Sequence, residues 1–251
     1  MQLVIVAAIT VCAASRARAH VAPSVDDNNR YLKVTPASDR VRLAYTVFFG
    51  EVPGAQMRGT LDANRDGQIS DAEGQAFGTK LALEVAAGIE LTVDGTTRPI
   101  SWATVAVGMG TPAVRAGSFS VDMIAWVCLP AASTHAILLR DRFRVPKPGE
   151  TEVRVEDGLG ITIQHARVGA ADDPSRDYKF IGPGGPLMDD GLDLAFTVTD
   201  KAPRGDATCA AAPTGSPGTS LATVLAIVAA ALALGVAVVI VARRSVRSRA
   251  V

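Results

Sequence analysis

Asp62, Asn64, Asp66, Gln68, Ser70 and Glu73 fall at positions 1, 3, 5, 7, 9 and 12 of one twelve-residue window, the spacing at which a single loop surrounds Ca²⁺ with oxygens. Asp62, Asn64 and Asp66 offer side-chain oxygens, Gln68 its backbone carbonyl, Ser70 a hydroxyl or a bridging water, and Glu73 both carboxylate oxygens. Gly67 stands at position 6, where the chain must turn with φ > 0. Ile69 at position 8 is the apolar residue expected to pair with a neighbouring loop through a short strand. Ser70 and Glu73 also read as a capping box opening a helix. Asp, Asn and Gly gather in ordinary surface turns as well, but a turn does not call for Glu at position 12. No second loop of this kind occurs in the 251 residues. A lone loop with three carboxylates predicts a dissociation constant of about 0.1 to 1 mM, a clamp rather than a cooperative sensor.

The histidines and cysteines offer other chemistry. His20 becomes the first residue if a leader ends at Ala19, and a free N-terminal His presents its amine and a ring nitrogen together, a chelate that suits Cu(II) or Ni(II). His135 or His165 is a candidate to complete that site, with Asp26 and Asp27 close in sequence. His165 also shares parity with Ile161 and Ile163, which fits a core histidine equally well. Once Cys12 leaves with the leader, Cys128 and Cys209 remain, able to pair as a disulfide or to leave Cys128 a buried thiol. Hydrolase chemistry lacks a setting. Gly215-Ser216-Pro217-Gly218 sits in a Pro- and Gly-rich stretch rather than at a strand-turn-helix elbow, and Asp172, Asp173, Asp189 and Asp190 read as a solvated loop. The expectation is a non-enzymatic protein, with a copper-dependent oxidase as the alternative. Trp102 and Trp126 read as core side chains.

Period-two alternation, the mark of half-buried strands, prevails between residues 31 and 199. Val41, Leu43, Tyr45, Val47 and Phe49 alternate with less apolar neighbours, as do Phe119, Val121, Met123, Ala125, Val127 and Leu129, and again Leu192, Leu194, Phe196 and Val198. Shorter candidates are 31–35, 89–93, 100–107, 136–143, 151–155 and 159–166. About nine strands parted by Gly and Pro turns predict a mainly β, antiparallel β-sandwich. One helix is expected, over 71–87, with Phe77, Leu81 and Val85 as its apolar stripe. The segment 53–61 holds Gly54 and Gly59 and reads as a weak helix. The calcium unit, 53–88, is thus an excursion inserted between strands.

The ends imply export and anchoring. Residues 3–14 are apolar and too short to span a bilayer, and Ala17-Arg18-Ala19 is an A-x-A cleavage pattern, so 1–19 reads as a signal peptide. Residues 20–201 form the extracytoplasmic domain, and 202–220, rich in Ala, Pro, Gly, Thr and Ser, a flexible stalk. The 22 uncharged residues 221–242 predict a transmembrane helix, and the arginines of 243–251 place a basic tail in the cytoplasm. A sorting signal cut after export is the alternative for this C-terminal region. The expected location is a single-pass membrane protein with its domain in the periplasm or on the cell surface. Residues 20–220 hold all 25 acidic residues and 19 of the 25 basic ones, a net of −6, so nucleic acid is not an expected partner.

The calcium loop resembles that of EF-hand proteins. The series His20, Asn29-Arg30-Tyr31, Asp39-Arg40-Val41-Arg42-Leu43, Tyr45, Glu51-Val52-Pro53 and then the loop resembles, over residues 20–95, the exported N-terminal region of bacterial HupE/UreJ-like, nickel-transporter-like membrane proteins. The resemblance implies an accessory domain linked to metal handling, without the many membrane helices of those proteins. The functional expectation is a membrane-anchored, extracytoplasmic calcium-binding module that is structural or binds an unidentified protein partner. The alternative is a Cu or Ni accessory protein built on His20.

Overall fold

The computed structural model describes residues 26–169, 173–175, 179–182, 185–199, 201–202 and 209. In chain order its elements are β1 (Asn28–Pro36), β2 (Arg40–Phe49), α1 (Glu51–Leu61), α2 (Asp71–Gly88), β3 (Ile89–Val93), β4 (Thr96–Arg98), β5 (Trp102–Gly108), β6 (Phe119–Cys128), β7 (Thr134–Asp141), β8 (Pro148–Val155), β9 (Ile161–Val168), β10 (Lys179–Phe180), α3 (Gly185–Asp189) and β11 (Leu192–Val198). They form a six-stranded sheet in the order β10-β8-β1-β2-β6-β5 and a five-stranded sheet in the order β4-β3-β7-β11-β9. Alternation explains which faces meet. Val41, Leu43, Tyr45, Val47 and Phe49 of β2 and Val121, Met123 and Ala125 of β6 are buried in the same core as Leu139 of β7 and Leu194 and Phe196 of β11.

The expected class, mainly β and antiparallel, is corrected to a mixed α/β fold with three helices among the described residues. β1 pairs with β8 in parallel, Leu32 opposite Val153 and Val34 opposite Val155. Period-two alternation reports which face a side chain takes and says nothing of strand direction. β4 and β10, three and two residues long, are too short to display a period. The 11-residue α1 stands where a weak helix was expected.

The membrane anchor is also corrected. Among the described residues no helix is long and apolar enough to cross a membrane. The longest, α2, has 18 residues and carries Asp71, Glu73, Lys80 and Glu84, charges that hydrocarbon would not solvate. The predicted span 221–242, like the leader, the tail and most of the stalk, lies outside the described residues. The transmembrane helix, the membrane as partner and the single-pass location are therefore withdrawn.

A buried polar network joins the two sheets. Asp141, at the end of β7, accepts hydrogen bonds through Oδ2 from Arg30 Nη1 of β1 at 2.9 Å and from Tyr45 Oη of β2 at 2.6 Å. Arg30 also donates to Thr151 Oγ1 of β8 at 3.0 Å and to Phe143 O at 2.9 Å, while Asp141 Oδ1 accepts Phe143 N at 2.9 Å. Burial raises the Asp141 pKa, with Arg30, Tyr45 and the Phe143 N–H pulling the other way. Burial and the nearby carboxylate push Tyr45 well up, keeping its hydroxyl a donor. Every member has a partner, the condition under which such a network rigidifies a core. Asp141→Ala strands the Arg30 charge and should lower stability by about 3 to 5 kcal/mol. Tyr45→Phe should lower it by about 1 to 2 kcal/mol, and urea denaturation of both variants reads the difference.

Candidate functional site: the calcium loop and its supports

α1 begins at Glu51, and Pro53 falls in its first turn, where a missing N–H leaves no helix bond unmade. Gly54 allows the helix to lie against the β5–β6 connection, since a Cβ there would stand 2.7 Å from Gly117 O. That close approach answers the low helix propensity of glycine. α2 opens on the expected capping box: Ser70 accepts the Glu73 N–H, and the Glu73 carboxylate accepts the Ser70 N–H. Its inner face buries Leu81 and Val85, with Phe77 half-buried. Gly78 meets β5 closely, its absent Cβ 2.5 Å from Val107 Cγ2. Trp102 Nε1 of β5 donates to Ala82 O of α2 at 2.8 Å.

The loop between these helices closes on itself. Asp62 Oδ1 accepts Asp66 N at 3.1 Å and Oδ2 accepts Gly67 N at 3.0 Å. Asn64 Oδ1 also accepts Asp66 N, at 2.9 Å, and Asp66 Oδ1 accepts Gln68 N at 2.8 Å. Gly67 has φ 83° and Arg65 φ 60°, so the turn at position 6 falls on the residue best able to take it. Glu73 spans the loop's two ends: Oε1 accepts Ala63 N at 2.8 Å, and Oε2 accepts Ser70 N at 2.9 Å and Ser70 Oγ at 2.8 Å. These bonds from Ser70 and Ala63 draw the Glu73 pKa below its usual value.

The loop's donors are all oxygens, the set that suits Ca²⁺ and poorly suits Cu(II) or Zn²⁺. Among the described residues, however, no three His, Cys, Asp or Glu side chains are gathered as for a metal ion. Asp62, Asp66 and Glu73 serve instead as acceptors for the loop's own N–H groups. The residues fit the ion in kind and in order along the chain, and Glu73 would have to redirect its carboxylate to hold it.

Two supports fasten this unit to the sheet. Gln68 and Ala113 form an antiparallel bridge, with Ile69 N donating to Pro112 O at 2.7 Å and Val114 N to Gly67 O at 3.1 Å. Arg58 of α1 is fully buried and donates to Thr111 O at 2.8 Å, Ala113 O at 3.1 Å, Gly117 O at 3.1 Å and Ser118 O at 3.3 Å, and to Met109 O. Its guanidinium lies 5.5 Å above the Phe119 ring, and burial lowers its pKa. A groove of about 530 Å³ opens between α1 and α2. Met57, Leu61, Phe77 and Phe143 line it, and Glu73 stands at its border.

The other predicted site residues are dispersed. His135 is buried on β7, its Nδ1 2.8 Å from Asp94 Oδ2 and its Nε2 without a hydrogen-bond partner; its ring packs against Phe196 at 5.4 Å. His165 Nε2 lies 3.0 Å from Asp193 Oδ1. His135 pairs across the sheet with Phe196 and His165 with Ala195, so the two histidines leave opposite faces and share no metal. His20 and Cys12 lie outside the described residues. Cys128 and Cys209 are both disulfide-bonded. Trp126, expected in the core, is 45% exposed beneath the Arg40 guanidinium at 5.6 Å. Sequence reasoning missed Arg58 and the 109–118 segment, which carry no carboxylate, histidine or cysteine. It also passed over Asp94-Gly95, whose φ values of 50° and 75° mark the hairpin turn that this dipeptide favours.

No family model matches this chain. No curated protein matches it either. Among solved structures, native yeast LTA4 hydrolase is similar over 73% of this chain and 31% of its own length, at 8% identity and a TM-score of 0.23. The chain thus spans about a third of that hydrolase, and a likeness this slight carries no argument.

The depressed Glu73 pKa sets a pH dependence. A carboxylate whose folded pKa lies below its unfolded value stabilises the folded form above the unfolded value, and that contribution is lost as pH falls through the folded one. An NMR titration of the Glu73 side chain should show a midpoint below that of the same glutamate in the unfolded chain. Measured against the intrinsic rate, protection of the Ala63 and Ser70 amides should fall over the same pH window, and Glu73→Gln should abolish that response.

Proposed function

We propose that α1, the loop and α2 form a calcium-binding unit in which Asp62, Asn64, Asp66, Gln68, Ser70 and Glu73 hold one Ca²⁺. The observation that carries this reading is the position-1 carboxylate of Asp62, turned inward to accept the N–H groups of Asp66 and Gly67 inside a loop flanked by helices on both sides. The EF-hand spacing of oxygens supports it, as does the resemblance of residues 20–95 to the exported region of HupE/UreJ-like proteins, where metal handling is the common thread. The role is non-enzymatic. Bound calcium fixes the angle between α1 and α2 and so stiffens the edge of the six-stranded sheet on which α2 lies.

Calorimetric titration of the full chain with CaCl₂ should give one site with a dissociation constant of about 0.1 to 1 mM. At 10 mM Ca²⁺ that affinity raises stability by about 1.4 to 2.7 kcal/mol, visible as a higher melting temperature. Because Trp102 is bonded to α2, its fluorescence should change on titration and Trp102→Phe should remove the change. Absence of binding heat at millimolar Ca²⁺, or heat unaltered by Asp62→Ala combined with Glu73→Gln, would sink the reading.

A further inference from the structure

A position-8 residue such as Ile69 calls for a neighbouring loop, and the sequence holds no second calcium loop. The β5–β6 connection takes that place: Pro112 O receives the Ile69 N–H and Gly67 O receives the Val114 N–H. The two bonds flank Gln68, whose carbonyl is the position-7 ligand. Successive carbonyls of an extended segment point to opposite sides. In this bridge Gln68 is the residue of the pair that exchanges no bond with its partner, so its own N–H and C=O face away from the connection, and the N–H is taken by Asp66 Oδ1.

The connection is held by Arg58, one helical turn ahead of Asp62, whose N–H in turn donates to Arg58 O at 3.3 Å. Its guanidinium donates to five backbone carbonyls within residues 109–118. If the connection leaves, a buried cation is stranded. The loop is therefore fixed to this one segment twice, through α1 just before the first ligand and through the bridge around the seventh.

We propose that residues 109–118 are the second half of the calcium site, a segment that supplies no ligand and orients Gln68, with Arg58 as the positioning residue that locks it. This rests on the reading that the loop binds Ca²⁺. Ion binding and ordering of the connection are then a single coupled equilibrium, each strengthening the other by the same factor.

The test combines NMR amide exchange with calcium calorimetry on the full chain, for wild type, Arg58→Lys and Val114→Pro. Lysine keeps the charge but has too few donors for five carbonyls, and proline deletes the Val114 N–H without touching a buried charge. Saturating CaCl₂ should slow exchange at Ile69 and Val114 by about tenfold or more, and each variant should weaken calcium binding by about tenfold although no ligand is altered. Wild-type exchange at Val114 that ignores calcium, while calorimetry shows binding, overturns the coupling and leaves the calcium reading standing. A folded Val114→Pro protein that binds calcium like wild type also overturns it. No binding heat in wild type removes the calcium reading itself. If Arg58→Lys fails to fold, the wild-type amides and Val114→Pro still decide.

Discussion

The Asp141 carboxylate is the constraint from which the arrangement of the molecule follows. It accepts from both Arg30 of β1 and Tyr45 of β2, so it holds the end of β7 against the centre of the opposite sheet. A lone carboxylate at that depth would protonate or draw in water. Arg30 and Tyr45 offset part of that burial cost, and Thr151 and Phe143 O accept further guanidinium hydrogen bonds. Hydrophobic contact between the sheets is non-directional, whereas these bonds admit one relative placement.

That placement reaches the calcium unit through a short path. Asp141 Oδ1 fixes the Phe143 N–H, and the same turn receives the end of α2, with Arg142 N donating to Gly88 O at 2.8 Å. A Cβ at Gly88 would stand 2.7 Å from Phe143 N, so only glycine lets the helix finish there. α2 is held at its C-terminal end by the inter-sheet network and along its length by β5, through Gly78 against Val107 and Trp102 on Ala82. Its N-terminal end carries Glu73. The helix is a fixed bar, while α1 and the loop are tied to the β5–β6 connection through Arg58 and the Gln68–Ala113 bridge.

Much of this was readable from residue order because the relevant signals are local. Alternation placed β2, β6 and β11, the Ser70 and Glu73 pair opened α2, and Gly67 marked the turn. What escaped notice is non-local. The direction of β8 beside β1 leaves no trace in a period-two pattern, because parallel and antiparallel neighbours bury the same parity. Arg58, among Gly, Met and Thr on a poor helix former, looks like a solvated surface residue. Its acceptors are main-chain carbonyls 51 to 60 residues away, and a carbonyl has no side-chain signature. His135 and His165 were equally opaque, because the sheet decides which face each leaves and β11 sets them on opposite ones.

The borrowed partner also explains why this unit suits a clamp. Two calcium loops facing each other are alike and each can gain an ion, so ordering one prepares the other and binding becomes cooperative. Here the facing segment carries no carboxylate and is no second calcium loop. It is the connection between β5 and β6, which are already paired along most of their length, Val105 opposite Met123 and Val107 opposite Val121. On the proposed calcium reading the ion therefore meets a scaffold that is already formed, and any ordering it adds is confined to the loop and residues 109–118. Ordering each backbone residue costs about 1 to 2 kcal/mol, so even that limited ordering absorbs much of what an ion gains from three carboxylates. Weak, single-step binding with a local structural effect is what such an arrangement yields.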